Sequence, residues 1–232
     1  MKKFLTLTTF LFNLTFLFSQ GTSGSVLFVN ADNASSYSGS GTTWSDISGS
    51  GNDGSITGAT YDATNKVFVF DGDDHVSFSP ALTEGDDTYT LEAYFKPTSA
   101  TTQVVVEQNT SSSVASRRAS MLLISNGTGG FNGQSNDRHN VVNYTLNSWE
   151  HWVMVCNVTG NSLKIFRNGS LAYDGTFANA GALNIGDAGL VIGKKLSANG
   201  EYFNGEMKFV RIYDRVLTLS LIHISEPTRR RG

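Results

Sequence analysis

Three carboxylates crowd one short stretch of the chain. Asp71, Asp73 and Asp74 fall within D-G-D-D, between the runs Lys66–Phe70 and His75–Phe78. Carboxylate oxygens packed this densely are hard ligands that suit calcium, with backbone carbonyls available to complete a shell. The spacing is not that of an EF-hand loop. The same turn also reads as a solvated one, with Asp71 bonded to neighbouring backbone amides. A second chemistry, sugar recognition, needs an aromatic face beside planar hydrogen-bonding groups, and two places offer it. Glu92, Tyr94 and Lys96 alternate along one segment and so share a strand face. Phe131, Asn136, Asp137, Arg138 and His139 are expected to form a polar loop with an aromatic. The candidate metal ligands are therefore Asp71, Asp73 and Asp74. The candidate sugar contacts are Glu92, Tyr94, Arg138 and His139, with ordinary surface as the competing reading.

Other residue types point away from catalysis and cofactors. Gly49 to Gly54 spell G-x-G-x-x-G. A dinucleotide site needs a strand before that motif and a helix after it. Here a polar loop precedes it and the short β-like Ser55-Ile56-Thr57 follows, so it reads as a turn-rich loop. Serine is abundant, yet no nucleophile-elbow motif is present. His75, His139 and His151 are scattered without metal spacing. The single cysteine, Cys156, excludes a disulfide framework and a cysteine-based zinc site. Set beside Trp152 and Met154, it is expected to be buried as a small apolar side chain.

The elements that must carry these groups are strands. No stretch of a dozen residues keeps a helical apolar stripe, whereas short β-like runs recur between turn residues. They are Ser25–Asn30, Lys66–Phe70, His75–Phe78, Tyr89–Lys96, Gln103–Gln108, Ser120–Ser125, Glu150–Val158, Ser162–Arg167, Ser170–Thr176, Leu190–Gly193 and Tyr202–Tyr213. Asn168-Gly169 signals a tight hairpin turn. In 151–158, Trp152, Met154 and Cys156 take one face and Val153 and Val155 the other, which predicts a strand covered on both sides. Residues 31–54 form a long loop that Trp44 and Ile47 should pin to the core. The chain reads as one all-β domain, an antiparallel β-sandwich.

The two ends differ from this domain. Residues 1–20 have a basic start at Lys2 and Lys3, an apolar middle and a small polar exit, the layout of a secretory signal peptide. The expected protein is secreted or displayed at the cell surface, and no later stretch is long and apolar enough for an integral membrane span. Residues 219–229, LSLIHISEPTR, resemble a translated sequencing-library adapter. On that reading residues 219–232 are foreign to the domain and should lie loosely outside it. The chain has 17 Lys+Arg and 20 Asp+Glu; removing Lys2, Lys3, Glu226 and Arg229 to Arg231 leaves 12 and 19, a net charge of −7 over 21–218. That acidic balance argues against nucleic acid or anionic membranes as partners and is compatible with neutral sugars and bound cations.

Six blocks in order resemble the laminin-G-like domains of the concanavalin A-like jelly-roll superfamily, in its bacterial lectin-like branch. They are W-S-D-I-S-G-S-G-N-D-G from Trp44, F-V-F-D-G-D-D-H-V from Phe68, T-L-E-A-Y-F-K-P from Thr90, S-W-E-H-W-V-M-V from Ser148, L-K-I-F-R-N-G from Leu163 and Y-F-N-G-E-M-K-F-V-R-I-Y-D-R-V-L from Tyr202. The resemblance implies an antiparallel jelly-roll sandwich over about 25–218, with Phe68, Phe70, Phe95, Trp152, Ile165, Val210 and Ile212 supplying its core. It also implies that calcium can sit at a sandwich edge, although Lys208 stands where relatives often have an acid. Hydrolases on this fold place acids at alternating positions of one strand, and no Glu-x-Asp-x-Glu is present. The expected function is a non-catalytic carbohydrate-binding or adhesion module of a larger extracellular protein, with a glycan or other extracellular polymer as partner. The alternatives are an interaction domain without a sugar site and, from the fold alone, a glycoside hydrolase.

Overall fold

A computed structural model describes residues 24–79, 88–109, 118–133, 135–179, 181, 183, 185, 189–196 and 200–225. The expected signal peptide lies outside the described residues, as does the second half of the tail, 226–232. In chain order the strands are β1 (Ser25–Asn30), β2 (Thr43–Trp44), β3 (Gly54–Thr57), β4 (Thr60–Asp62), β5 (Val67–Asp71), β6 (His75–Phe78), β7 (Tyr89–Pro97) and β8 (Gln103–Asn109). Then come β9 (Arg118–Ile124), β10 (Thr128–Gly133), β11 (Arg138–Asn143), β12 (Glu150–Asn157), β13 (Ser162–Arg167), β14 (Ser170–Gly175), β15 (Leu190–Ile192) and β16 (Asn204–Tyr213). One helix, α1 (Leu219–Ser225), follows. The all-β antiparallel sandwich expected from the sequence is what forms.

The strands make two antiparallel sheets. The first runs β14-β13-β12-β7-β16-β5-β4, with β1 also paired to β16. The second runs β11-β10-β9-β8-β15-β6-β3-β2. Between them lies one core holding Phe68, Phe70, Phe95, Trp152, Ile165, Val210 and Ile212. Alternation alone would not point Met207, Val210 and Ile212 the same way. An irregularity between Met207 and Phe209 resets the parity of β16 and turns all three inward. Asn168 and Gly169 take φ of 49° and 74° in the β13–β14 hairpin, as the tight-turn signal predicts.

Several strands are not legible as runs of apolar residues. β10 is T-G-G-F-N-G and reads as loop, yet it pairs on both edges. A Cβ at Gly129 would overlap the Leu122 carbonyl, and one at Gly130 the Arg138 carbonyl, so neighbouring backbones fill the side-chain space. The loop 31–54 is pinned as expected. Trp44 is fully buried, and Asp46 serves as its hub: Oδ1 accepts from the amides of Phe28 (2.9 Å) and Ser48 (2.8 Å), and Oδ2 from Ser48 Oγ (2.7 Å) and the Asn52 amide (3.0 Å). Residues 49–54 pass through this loop directly into β3 rather than into a helix, in keeping with the turn reading of their glycines.

The outer face of the first sheet carries a second cluster of Val153, Val155, Phe166, Tyr213, Leu217 and Ile222. Thus β12 is covered on both sides. The expectation of a loose tail is corrected here: Leu219–Ser225 is helical and Ile222 is 1% exposed. The physical reason is that Val153, Val155 and Phe166 present an apolar strip, and the segment after Leu217 lies down on it. Ile222→Asp is expected to lower stability by about 2 kcal/mol, the scale of a buried isoleucine. An unchanged urea midpoint would show that the segment is not docked.

Candidate functional site

The outer face of the first sheet changes character along its strands. Register places Tyr94 opposite His151 on one side and Phe209 on the other. Trp149 precedes β12 with the same parity as His151 and stacks on Tyr94, with centroids 4.7 Å apart and planes 29° apart. Lys96 pairs with Glu206, and its ammonium lies 5.7 Å from the Trp149 ring centre. Tyr94, Trp149, Lys96, Glu206, Lys208 and Asn65 line an open cleft of about 270 Å3. It offers aromatic surface together with donors and an acceptor at one end of the sheet.

Glu92, expected as a ligand contact, is not part of that cleft. It is fully buried. Its Oε1 lies 2.9 Å from His151 Nε2 and its Oε2 accepts at 3.4 Å from Arg211 Nη1. Arg211 also donates to the Tyr213 hydroxyl (3.1 Å), and its guanidinium sits 3.9 Å from the centre of the Phe28 ring. The alternation that set Glu92 beside Tyr94 was sound. Aromatic rings on neighbouring strands roof the position over, and adjacent strand residues do not report such coverage. The outer face thus passes from the open cleft, through this buried ionic cluster, to the apolar cluster under α1.

The second expected sugar site is not assembled with the first. Arg138 and His139 lie on β11, the outermost strand of the other sheet. Arg138 Nε and Nη2 both donate to the Thr176 carbonyl (3.0 and 2.7 Å). His139 Nε2 lies 3.9 Å from Asp137 Oδ1. Asn136 is buried and exchanges hydrogen bonds with the backbone of Asn179, both at 2.7 Å. Phe131 is in the core. These polar groups tie loops to the sheet edge.

The acidic turn does converge. Asp71, Asp73 and Asp74 each bring a carboxylate oxygen within 4.8 Å of the others. Asp74 is buried, and its Oδ2 accepts from the Asp71 amide at 2.9 Å. Burial pushes its carboxyl above the usual range, and the charges of Asp71 and Asp73 add to the rise. A donor set of crowded oxygens whose mutual repulsion a cation would relieve fits a hard divalent ion. The roles are inverted relative to the solvated-turn expectation: Asp74 accepts, and Asp71 supplies the amide. Lys208 does not enter this turn. It reaches Asp32 and the Asn65 carbonyl instead, so its departure from the family pattern has no bearing on the three aspartates.

Cys156 is fully buried, and burial pushes its thiol up to about 12, a value at which it is no nucleophile. Glu150 is likewise buried and held by Arg167 through two 2.6 Å bonds. Among the described residues no helix is long and apolar enough to cross a membrane.

A family model of the concanavalin A-like lectin/glucanases superfamily matches residues 70–223. The chain belongs to that superfamily. The match runs past residue 218 into α1, consistent with the docking of Ile222. Solved structures with this superfamily chain's architecture include Trypanosoma rangeli sialidase in complex with sialic acid (15% identity, TM-score 0.63), matched over 87% of this chain and 32% of the sialidase. Domain 4 of AbnA, a GH43 extracellular arabinanase from Geobacillus stearothermophilus, solved with arabinotriose, matches at 17% identity and TM-score 0.61, over 88% of this chain and 98% of that one. A botulinum neurotoxin type C structure, whose cell entry depends on two ganglioside molecules, matches at 14% identity and TM-score 0.64, over 88% and 50%. The chain therefore spans about a third of the sialidase it resembles. At these identities the likeness is one of fold. No curated protein matches the chain.

Two features of the cleft escaped the sequence reading. Trp149 was visible only as part of a family block, and its parity with His151 was the available signal. Glu206 and Lys208 reach the cleft because β16 lies beside β7, a pairing between segments more than a hundred residues apart.

Proposed function

We propose that this domain is a non-catalytic carbohydrate-binding module of a secreted or cell-surface protein, and that the cleft at Tyr94 and Trp149 is its sugar site. The observation that carries the reading is the combination in that cleft of aromatic surface with Lys96, Lys208 and Glu206, which provide donors and an acceptor for sugar hydroxyls. Fold neighbours solved with or dependent on sugars support it. So does the state of three strand acids: Glu92, Glu107 and Glu150 are buried and hydrogen-bonded, which leaves Glu206 as the one carboxylate in the cleft lining where a glycosidase needs a pair. Trp149→Ala is expected to reduce affinity for any glycan identified on an array by about tenfold or more, since sugar-facing aromatics act as interface anchors. Trp149 is only half-buried, so the variant should keep its fold. Undiminished glycan binding by Trp149→Ala would remove the cleft from consideration.

The acidic turn is proposed to hold calcium through Asp71, Asp73 and Asp74. The ion would supply charge neutralisation and tie β5 to β6. A ligand that binds only the folded state stabilises it by mass action, about 2.7 kcal/mol at a hundredfold excess over Kd. Chelator should therefore lower the melting temperature and calcium restore it. A melt indifferent to millimolar calcium would sink the assignment.

A further inference from the structure

The cleft is unevenly charged. Lys96 is matched by Glu206, but Lys208 is poorly matched. Its ammonium reaches the Asn65 carbonyl and Asp32 Oδ2 only at 3.3 Å each. Charge-assisted bonds settle at about 2.7–2.9 Å. Asp32 is closer to Lys66, at 3.0 Å. The irregularity in β16 places Lys208 here: it falls at the shift between Met207 and Phe209, and its carbonyl accepts from the Ala31 amide. On a domain of net charge −7 over 21–218, the lining of the cleft carries two lysines, Lys96 and Lys208, against one acid, Glu206.

We infer that the cleft takes a sugar bearing an acidic group, a carboxylate or a sulfate, whose anionic oxygens engage the underused donors of Lys208 beside the aromatic surface of Trp149. This inference rests on the carbohydrate-binding reading and names the ligand class of the same site. A neutral sugar would offer Lys208 only hydroxyl acceptors, whereas an anion gives its ammonium an oppositely charged partner and a stronger bond. At about 270 Å3 the cleft lies at the small end of ligand pockets, which favours one acidic residue over a long run of sugars.

The test is calorimetric titration of the domain and of Lys208→Ala with three probes: an oligogalacturonate, a sulfated galactan oligosaccharide and a neutral galactan oligosaccharide. An acidic probe should bind about tenfold more tightly than the neutral one, an advantage that shrinks as added salt screens the charges. Lys208→Ala should erase that advantage with the melting temperature unchanged, costing the acidic probes about tenfold more affinity than it costs the neutral one. Preference between the first two probes distinguishes carboxylate from sulfate. Equal affinity for neutral and acidic probes, unaltered by Lys208→Ala, overturns the acidic class and leaves carbohydrate binding standing. No binding to these probes or to any glycan on an array overturns both.

Discussion

Glu92→Ala is expected to destabilise the domain by about 3–5 kcal/mol, the cost of stripping one partner from a buried ionic cluster. The carboxylate is fully buried against His151 Nε2 and Arg211. Its loss leaves the Arg211 charge under Phe28 and Phe209 with the Tyr213 hydroxyl as a remaining neutral partner. For a domain of this size each kcal/mol shifts the melting temperature by roughly 2–4 °C, so a drop of roughly 6–20 °C should be seen. Glu92→Gln, which keeps the shape and one acceptor, should cost less. The comparison separates two roles for this residue. A sugar ligand would lose affinity on substitution and keep its stability. A buried anchor loses stability, and any loss of affinity follows from unfolding. Stability within about 1 kcal/mol of the parent would contradict the buried role.

Gly58→Ala should cost about 2.5–6 kcal/mol, from two sources that a control can separate. Gly58 has φ +83°, a conformation that strains any residue with a side chain by about 1–3 kcal/mol. In addition, a Cβ there would overlap Asp74 Oδ1. Asp74 is buried and cannot swing away without breaking its bond to the Asp71 amide, a charge-assisted bond of about 1.5–3 kcal/mol. Gly41 has φ +100° and open space around its Cβ position, so Gly41→Ala carries the backbone strain alone. Gly58→Ala should therefore be the more destabilised of the two and should also blunt any response to calcium. Equal melting temperatures for the two variants would mean that the Asp74 carboxylate is free to move.

Glu92 packs out of reach of the sugar chemistry it was first associated with, whereas Asp74 stays with the acidic turn. The acidic turn was legible because its three carboxylates lie within four consecutive residues, and a turn between paired strands brings neighbours together whatever the rest of the fold does. The sugar site was half legible. Tyr94 and Lys96 sit two residues apart on β7, so alternation placed them on one face. Trp149, Glu206 and Lys208 come from other strands, and only the neighbours of β7 in the sheet bring them there.

By itself the sequence determined the class of fold and most of its strands, because period-two alternation and turn residues are local signals. It also determined the burial of Trp152 and Cys156 and the hairpin at Asn168-Gly169. The tertiary structure alone decided which outward-facing positions meet solvent. Glu92 and Tyr94 share a face, yet Glu92 is sealed under rings from β1 and β16 while Tyr94 opens onto the cleft. It decided that the glycines of β10 make a strand, since the room they vacate is filled by the backbones of β9 and β11. It decided that Ile222 is buried, because the strip it covers is built from β12 and β13, far away in the chain. In each case the deciding quantity is how closely distant segments approach, which alternation along one strand does not encode.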